Sequence, residues 1–205
     1  KMSFFENTRK PVGFGGKIMV AMMNSGHNAM ADWGLSQITT HPNMDVLDIG
    51  CGGGANIKKF LALCPEGTVT GIDYSDISVT ASQKYNAKAI QDGRCKVLQA
   101  NVINLPFEAQ TFGLITAFET VYFWPDLLQS FREVYRVLKP DGKFLICNES
   151  SGDTDKDNKW AEKIGGMTIY NDAQLKTVLT QAGFSDIHIY KNEKGWLCVT
   201  AEKIV

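Results

Sequence analysis

The sequence predicts an α/β fold in which helices cover both faces of a mostly parallel β-sheet. Short apolar segments alternate with helical patterns from about residue 45 to residue 184, and a cluster of glycines follows the first of these segments. Such alternation favours right-handed crossovers between parallel strands. The chain has 205 residues, of which 44% are hydrophobic and 21% charged, which is typical of one globular domain with a full core.

The N-terminal part of the chain has the pattern of a helical arm. A helical pattern runs from about Lys17 to Ile38, and it ends at His41-Pro42-Asn43 because the residue before a proline disfavours helix. We therefore assign residues 1–42 to an N-terminal helical arm. Residues 43–205 are assigned to a single compact domain.

The remaining elements follow from runs of valine, isoleucine, leucine and phenylalanine that end at turn-forming residues. The predicted strands are 45–49, 68–72, 95–99, 112–118, 144–148, 187–191 and 197–203. The predicted helices are 55–64, 75–86, 127–137 and 172–183. The last two strands are too close in sequence for a parallel crossover, so we expect them to pair antiparallel. The polar stretch 150–158 predicts a loop.

Charge and cysteine usage exclude several classes of function. The net charge is −1, which gives no electrostatic basis for binding nucleic acid or an anionic membrane. The longest N-terminal apolar run, residues 18–23, is too short to span a bilayer. Five cysteines without a C-x-x-C pair argue against disulfides and against a metal site, and we expect free thiols in the cytoplasm.

The segment "VLDIGCGGG" (residues 46–54) lies between the first predicted strand and the first helix after it. Glycines let a ligand approach the main chain, and the helix N-terminus favours negative or polar groups. About 20 residues later, Asp73 ends the second strand, where a carboxylate can accept hydrogen bonds from both hydroxyls of a ribose. Both NAD and S-adenosylmethionine contain that ribose. A purely structural turn at the glycines and a helix cap at Asp73 remain alternatives.

An ordered set of motifs resembles the class I S-adenosylmethionine-dependent methyltransferases. The matching segments are "VLDIGCGGG", "GIDYS", "QANVINLPF", "FGLITAFETVYFWPD", "EVYRVLKPDGKFLI" and "LKTVLTQAGF". With the two terminal strands, the resemblance extends over about residues 43–205. The match looks nearest to the small-molecule branch that includes ubiquinone and menaquinone biosynthesis enzymes. The resemblance implies a Rossmann-like, doubly wound, seven-stranded sheet that is mostly parallel with one antiparallel strand, in the order 3-2-1-4-5-7-6.

The resemblance also implies a cofactor site for S-adenosyl-L-methionine, with S-adenosyl-L-homocysteine as the product. The glycine loop would contact the methionine half, Asp48 its amino group and Asp73 the ribose, while Asn101 stands where the family commonly has an aspartate that reads adenine. An asparagine still offers an acceptor oxygen. The cofactor-binding residues expected on this basis are Asp48, Gly50, Cys51, Gly52, Asp73, Tyr74, Asn101, Val102, Phe118 and Glu119.

Methyl transfer from a sulfonium is an in-line displacement, so the protein mainly aligns the acceptor and excludes water. His27 and Glu119 are the candidate general bases, and Tyr122 can face the sulfonium. Residues 16–35 contain four methionines, which fits a lid over a small, partly hydrophobic acceptor, although an ordinary packed helix explains them equally well. The sequence at residues 117–120, "AFET", lacks the N-P-P-Y type motif of many amino methyltransferases.

Three other functions stay open on the sequence. The glycine spacing also fits an NAD-dependent oxidoreductase, and a non-catalytic S-adenosylmethionine-binding protein would keep the same loop. A protein or RNA methyltransferase is the third, and the near-neutral charge speaks against RNA as the acceptor. The sequence indicates neither the acceptor atom nor the oligomeric state.

Overall fold

The computed structural model describes residues 28–205, in which seven strands form one sheet of order β3-β2-β1-β4-β5-β7-β6. The strands are β1 (Val46–Ile49), β2 (Val69–Asp73), β3 (Cys95–Gln99), β4 (Phe112–Phe118), β5 (Leu138–Asn148), β6 (Ser185–Lys191) and β7 (Leu197–Glu202). Strand β7 is antiparallel to both of its neighbours, and the other neighbouring strands are parallel. The predicted fold and strand order are confirmed.

Helices cover both faces of this sheet. They are α1 (Asn28–Leu35), α2 (Ala55–Leu63), α3 (Asp76–Tyr85), α4 (Ala87–Gln91), α5 (Leu127–Val137), α6 (Asp155–Lys163) and α7 (Asp172–Ala182), with a 3₁₀ turn at Val121–Phe123. Apolar side chains of α1 to α4 form one core cluster with the sheet, and those of α5 and α7 form the second. The two clusters explain why the central strands read as almost continuous apolar runs.

Local capping sets the ends of several helices. The Asp126 carboxylate accepts from the Gln129 N–H at 2.9 Å where α5 begins, and Asn171 forms a reciprocal capping box with Gln174 at α7. Helix α7 ends at Gly183, which has a φ of 108°. These signals are local in sequence, and the predicted bounds of α5 agree with the observed ones.

The strand order reverses at β1, which pairs with β2 on one side and β4 on the other. The carboxyl ends of β1, β2, β4 and β5 therefore meet at one edge of the sheet. In open α/β sheets ligands bind at this switch point. The glycine loop after β1 and the loop after β4 both begin here.

Two segments differ from the sequence prediction. Strand β5 begins at Leu138 rather than at residue 144, and its register with β4 shifts where Asp141 adopts a φ of 59°. The second difference is α6, whose first residues were expected to be a loop. The Asp157 carboxylate accepts from the main-chain N–H groups of Gly152 and Thr154 and so stabilises the start of this helix. Its nine residues include only two apolar ones, Trp160 and Ala161, so the sequence resembles a solvent-exposed loop.

The predicted N-terminal arm is described only from residue 28 onward, and His27 with the rest of residues 1–27 lies outside the described residues. Helix α1 packs on the sheet with Met30 and Ala31 fully buried. Gly34 lies against the Cys147 side chain of β5.

Within residues 28–205, none of the helices combines the length and apolar character that a membrane crossing needs.

We predict that Gly34→Ala destabilises the protein by about 1–3 kcal/mol. A Cβ at this position would lie 2.2 Å from the buried Cys147 Sγ, so α1 must shift away from β5. Gly165→Ala is the control, because a Cβ there meets no described atom within 4 Å. Urea unfolding of both variants tests this, and equal stability of the two would contradict the packing argument.

Candidate functional site

The glycine loop turns through three residues with positive φ: 74° at Gly50, 52° at Gly52 and 85° at Gly54. The N–H groups of Gly50 and Cys51 both donate to the Ile72 carbonyl, at 2.8 and 3.0 Å, and this ties the loop to β2. A Cβ added at Gly50 would collide with the Thr120 side chain at 2.2 Å. At Gly52, in contrast, an added Cβ would meet none of the described atoms within 4 Å. The main chain at Gly52 therefore faces open space that a ligand can enter.

Asp73, at the end of β2, holds this loop in place. Its Oδ2 accepts from the Gly52 N–H at 3.0 Å and its Oδ1 accepts from the Ser75 N–H at 2.8 Å. Burial raises the pKa of Asp73, and the hydrogen bonds from the Ser75 and Gly52 N–H groups oppose that rise. The carboxylate thus lies beside the open face of Gly52, where the sequence predicted a ribose contact.

Asp48 lies one strand away, in β1, and is 2% exposed. The Thr116 hydroxyl of β4 donates to its Oδ1 at 2.7 Å. Burial raises the pKa of Asp48 to about 7, the Thr116 hydrogen bond lowers it, and the charge of Asp73 raises it further. A cationic group brought next to Asp48 would stabilise the ionised form, as expected for a residue that holds an ammonium group.

The residues expected at the adenine end follow β2 and β3. The Ala100 N–H donates to the Asp73 carbonyl at 3.1 Å and joins the two strand ends. Asn101 is half-buried and its Oδ1 accepts from the Ile103 N–H at 3.2 Å, while the Val102 side chain is buried in the core. Tyr74 is 57% exposed beside Asp73. These four residues lie on the same side of the glycine loop as the predicted ribose contact.

Two of the expected cofactor residues direct their side chains into the core. The Cys51 thiol lies 3.9 Å from the Ser82 hydroxyl of α3, and burial raises its pKa well above the ordinary value. The Phe118 ring packs near Phe60, with 6.4 Å between ring centroids, in the cluster that α1 covers. Any contact of Cys51 or Phe118 with a cofactor therefore involves the main chain.

The structure brings Glu119 and Tyr122 into direct contact. Glu119 has a φ of 55°, and its Oε1 accepts from the Tyr122 hydroxyl at 2.9 Å and from the Glu149 N–H. The Ser150 N–H in turn donates to the Tyr122 oxygen at 3.1 Å. Tyr122 is 2% exposed, and burial, followed by the nearby charge of Glu119, raises its pKa well above the ordinary value. These groups form a polar clamp between the loop after β4 and the end of β5.

The three consecutive aromatic residues after β4 do not form one surface. Trp124 stacks on Phe144 with 6.3 Å between ring centroids and also contacts Phe131, so it belongs to the core. Phe123 is only partly buried and packs edge-on against Tyr122. Of these aromatic residues, Trp124 therefore packs the core.

Sequence reasoning missed several residues that shape the site. Thr116 bonds Asp48, Thr120 contacts Gly50, and Asn148 lies buried at the end of β5. Asp48 and Thr116 are paired across parallel strands, and such a contact appears only once the register is known. Because β4 is buried along almost its whole length, its sequence contains no alternation that would single out Thr116.

Away from this site, the described residues show no metal-binding cluster and have a groove with apolar side chains in its lining. Among residues 28–205, no group of three or more His, Cys, Asp or Glu side chains is arranged to hold a metal ion. A groove of about 470 Å³ lies between α3, α4 and the edge strand β3, and Ile90, Val97 and Leu98 are among its lining residues. It contains none of the residues assigned to the site.

Residues 47–146 match the family model described as "Methyltransferase domain". Two similar curated relatives are the cycloartenol-C-24-methyltransferase of Arabidopsis thaliana, 31% identical over 160 residues, and the sterol 4-C-methyltransferase strm-1 of Caenorhabditis elegans, 31% identical over 150 residues. These alignments cover 74% and 73% of this chain but 47% and 43% of the relatives. The chain thus spans less than half the length of the relatives it matches.

Solved structures support the fold. The S-adenosylmethionine-dependent methyltransferase from Aquifex aeolicus has a TM-score of 0.77 at 18% identity, covering 92% of this chain and 98% of that one. The geranyl diphosphate C-methyltransferase from Streptomyces coelicolor A3(2), solved with S-adenosyl-L-homocysteine, has a TM-score of 0.74 at 14% identity, covering 86% and 76%.

We predict that Asp48→Asn changes the pH dependence of stability in the cofactor-free protein. The folded protein holds the Asp48 proton more tightly than the unfolded chain, because its pKa rises from 3.8 to about 7. Its contribution to stability is therefore complete below pH 4 and is lost as the pH rises to about 7. Between pH 5 and pH 8 the wild type should lose about 2–4 kcal/mol relative to Asp48→Asn, which keeps the acceptor for Thr116.

Urea unfolding at several pH values between 5 and 8 measures this difference. Parallel stability curves for the two proteins would show that Asp48 ionises normally in the folded state. The comparison removes the contribution of Asp73, which both proteins share.

Proposed function

Because the chain belongs to the class I S-adenosylmethionine-dependent methyltransferase family, we propose that it transfers a methyl group from S-adenosyl-L-methionine to a small-molecule acceptor. S-adenosyl-L-homocysteine is then the second product. The observation that carries the proposal is the open main chain at Gly52 with the Asp73 carboxylate bonded beside it. A turn that served only the fold would need neither the open space at Gly52 nor a carboxylate bonded beside it.

The residues present fit the cofactor. Gly52 leaves room for the methionine portion, Asp48 is a buried carboxyl that an ammonium group would ionise, and Asp73 offers two oxygens to ribose hydroxyls. Asn101 supplies an amide to the adenine, and the Val102 N–H an edge donor. When bound, S-adenosylmethionine supplies an activated methyl group on a positively charged sulfur. The chain's own residues orient it and exclude water.

We propose that the acceptor is a largely apolar molecule methylated on carbon. The support comes from the relatives, which by name act on sterols and squalene, and from a structural neighbour named for geranyl diphosphate. Methylation of an alkene carbon leaves a cationic carbon, and loss of a proton from its neighbour restores neutrality. Glu119 would accept that proton, while Tyr122 and the Glu149 N–H hold its carboxylate in place.

His27 is the alternative base, and it belongs to the arm that we propose as a lid. The described end of the arm, α1, is anchored on the sheet through Met30 and Ala31. A cytoplasmic location without a nucleic-acid partner is our further proposal. It is supported by five buried free cysteines, all within the described residues, and by the net charge of −1.

Calorimetry tests the cofactor assignment. We expect the wild type to bind S-adenosylmethionine and S-adenosylhomocysteine but not NAD. Asp73→Ala should weaken both affinities about 10- to 100-fold, because charge-assisted hydrogen bonds to the ribose and to the loop are lost. Asp76→Ala, at an exposed neighbouring carboxylate, is the control and should leave the affinities unchanged.

The outcome separates the alternatives. Binding of NAD instead of S-adenosylmethionine would favour an oxidoreductase. Cofactor binding without S-adenosylhomocysteine production on a panel of sterols, squalene and prenyl alcohols would favour a non-catalytic binding protein.

Variants of the clamp test the proton acceptor. Glu119→Gln keeps the acceptor for Tyr122 and Glu149 but removes the negative charge, so we expect kcat to fall about 10²- to 10⁴-fold with unchanged affinity for S-adenosylhomocysteine. Tyr122→Phe should cause a smaller loss, because only the orientation of Glu119 is relaxed. Turnover across pH 5 to 9 is the measurement. If His27→Ala reproduces the loss and Glu119→Gln does not, the base is His27.

A further inference from the structure

Asn148, the last residue of β5, carries a side-chain amide that is buried in the sheet. It is 0% exposed, and neither Oδ1 nor Nδ2 has a hydrogen-bond partner in the part of the chain that the structure describes. Leaving a buried amide unpaired costs about 1–3 kcal/mol or more. Native proteins rarely keep such a group without a function that requires it.

The position of Asn148 places it beside the proposed proton acceptor. Its neighbour Cys147 accepts the Glu119 N–H through its carbonyl at 2.9 Å, and its other neighbour, Glu149, donates its N–H to the Glu119 carboxylate. Asn148 thus belongs to the carboxyl edge of the sheet, where ligands bind in this class of fold. The same edge carries Asp48 near the end of β1 and Asp73 at the end of β2, which lie beyond β4 in the sheet.

The face of the sheet that Asn148 shares is apolar. Side chains alternate along a strand, so Asn148 lies on the face of Phe144 and Ile146, and its partner across the sheet is Leu197. All three of these residues belong to the core cluster under α5 and α7. The Asn148 amide is therefore a polar group in an apolar wall, the surface formed on this face by Phe144, Ile146 and Leu197.

The chemistry of the amide indicates the group that it would recognise. A primary amide offers two N–H donors and a carbonyl acceptor, so it pairs best with a group that both donates and accepts. A hydroxyl does so. A carboxylate would satisfy only the donors, and an ammonium only the acceptor.

We propose that Asn148 binds the hydroxyl group of an otherwise apolar acceptor and so determines its specificity and its orientation toward Glu119. The inference rests on the proposed function and extends it to the polar group of the substrate. Because Asn148 is fully buried, the chain that follows β5 opens to admit the alcohol. Gly152 and Gly166, with φ of 75° each, flank α6 at the two ends of that segment and provide the hinges.

Calorimetry with farnesol and its hydrocarbon counterpart farnesene tests the proposal, with S-adenosylhomocysteine present. The wild type should bind farnesol about tenfold more tightly than farnesene, because one or two hydrogen bonds are worth roughly 1.4 kcal/mol in this comparison. Asn148→Leu should abolish that preference while leaving the affinity for farnesene unchanged. Its cofactor-free melting temperature should stay the same or rise, because the unpaired amide is gone.

Two controls separate specificity from structure. Thr200→Val removes another buried polar group, on β7, and should keep the preference for farnesol. Asn148→Ser replaces the amide by a hydroxyl, which can also donate and accept, and should retain part of the preference for farnesol. In the wild type, the side-chain amide signal of Asn148 in ¹H–¹⁵N spectra, assigned by its loss in Asn148→Ser, should shift with farnesol and not with farnesene.

The proposal would be overturned by an unshifted amide signal or by equal affinity of the wild type for the two compounds. A fall of more than about 5 °C in the melting temperature of Asn148→Leu, or failure of that variant to fold, would assign the amide a structural role and would also overturn it. Binding of S-adenosylhomocysteine alone is measured first. If S-adenosylhomocysteine does not bind, the proposed function is contradicted. The farnesol comparison, repeated without S-adenosylhomocysteine, then still tests whether Asn148 binds the hydroxyl group.

Discussion

The site depends on one constraint, the bonding of the Asp73 carboxylate to the main chain on both sides of it. Through Gly52 it fixes the glycine loop after β1, and through Ser75 it fixes the start of α3. These two bonds hold the loop and the helix start in a fixed geometry around the carboxylate. The same carboxylate lies next to the open side of Gly52, and we propose that its remaining lone pairs accept from ribose hydroxyls while both bonds stay in place.

This arrangement places a buried carboxyl, Asp48, and a half-buried one, Asp73, on neighbouring strands, and the charge of Asp73 disfavours ionisation of Asp48. The pKa values of Asp48 and Asp73 are both raised, in each case mainly by burial. A sheet with apolar residues at these positions would be more stable. We propose that ligand binding offsets this cost, because an ammonium group beside Asp48 and ribose hydroxyls beside Asp73 would stabilise the ionised carboxylates.

The sequence predicted those parts of the fold that depend on local signals. The bounds of β3, β4 and α5 agree because apolar runs and the Asp126 cap mark them, whereas the strand order came from the family resemblance. Helix α6 was not predicted because its sequence is mostly charged and polar. The contact of Thr116 with Asp48 and the isolation of Asn148 arise from the pairing of distant strands, so no local pattern contains them.

The carboxyl edge of the sheet divides into two chemically different halves. On β1 and β2 it is acidic, with Asp48 and Asp73, which suits a cationic, hydroxyl-rich ligand. On β5 and β7 it offers a neutral amide, Asn148, in an apolar wall, which suits an apolar molecule with one polar group. Glu119 lies between the halves, fixed by main-chain bonds to β5 on either side of Asn148. We propose that a base at that position takes a proton from the acceptor, while Asp48 holds the ammonium group of the cofactor.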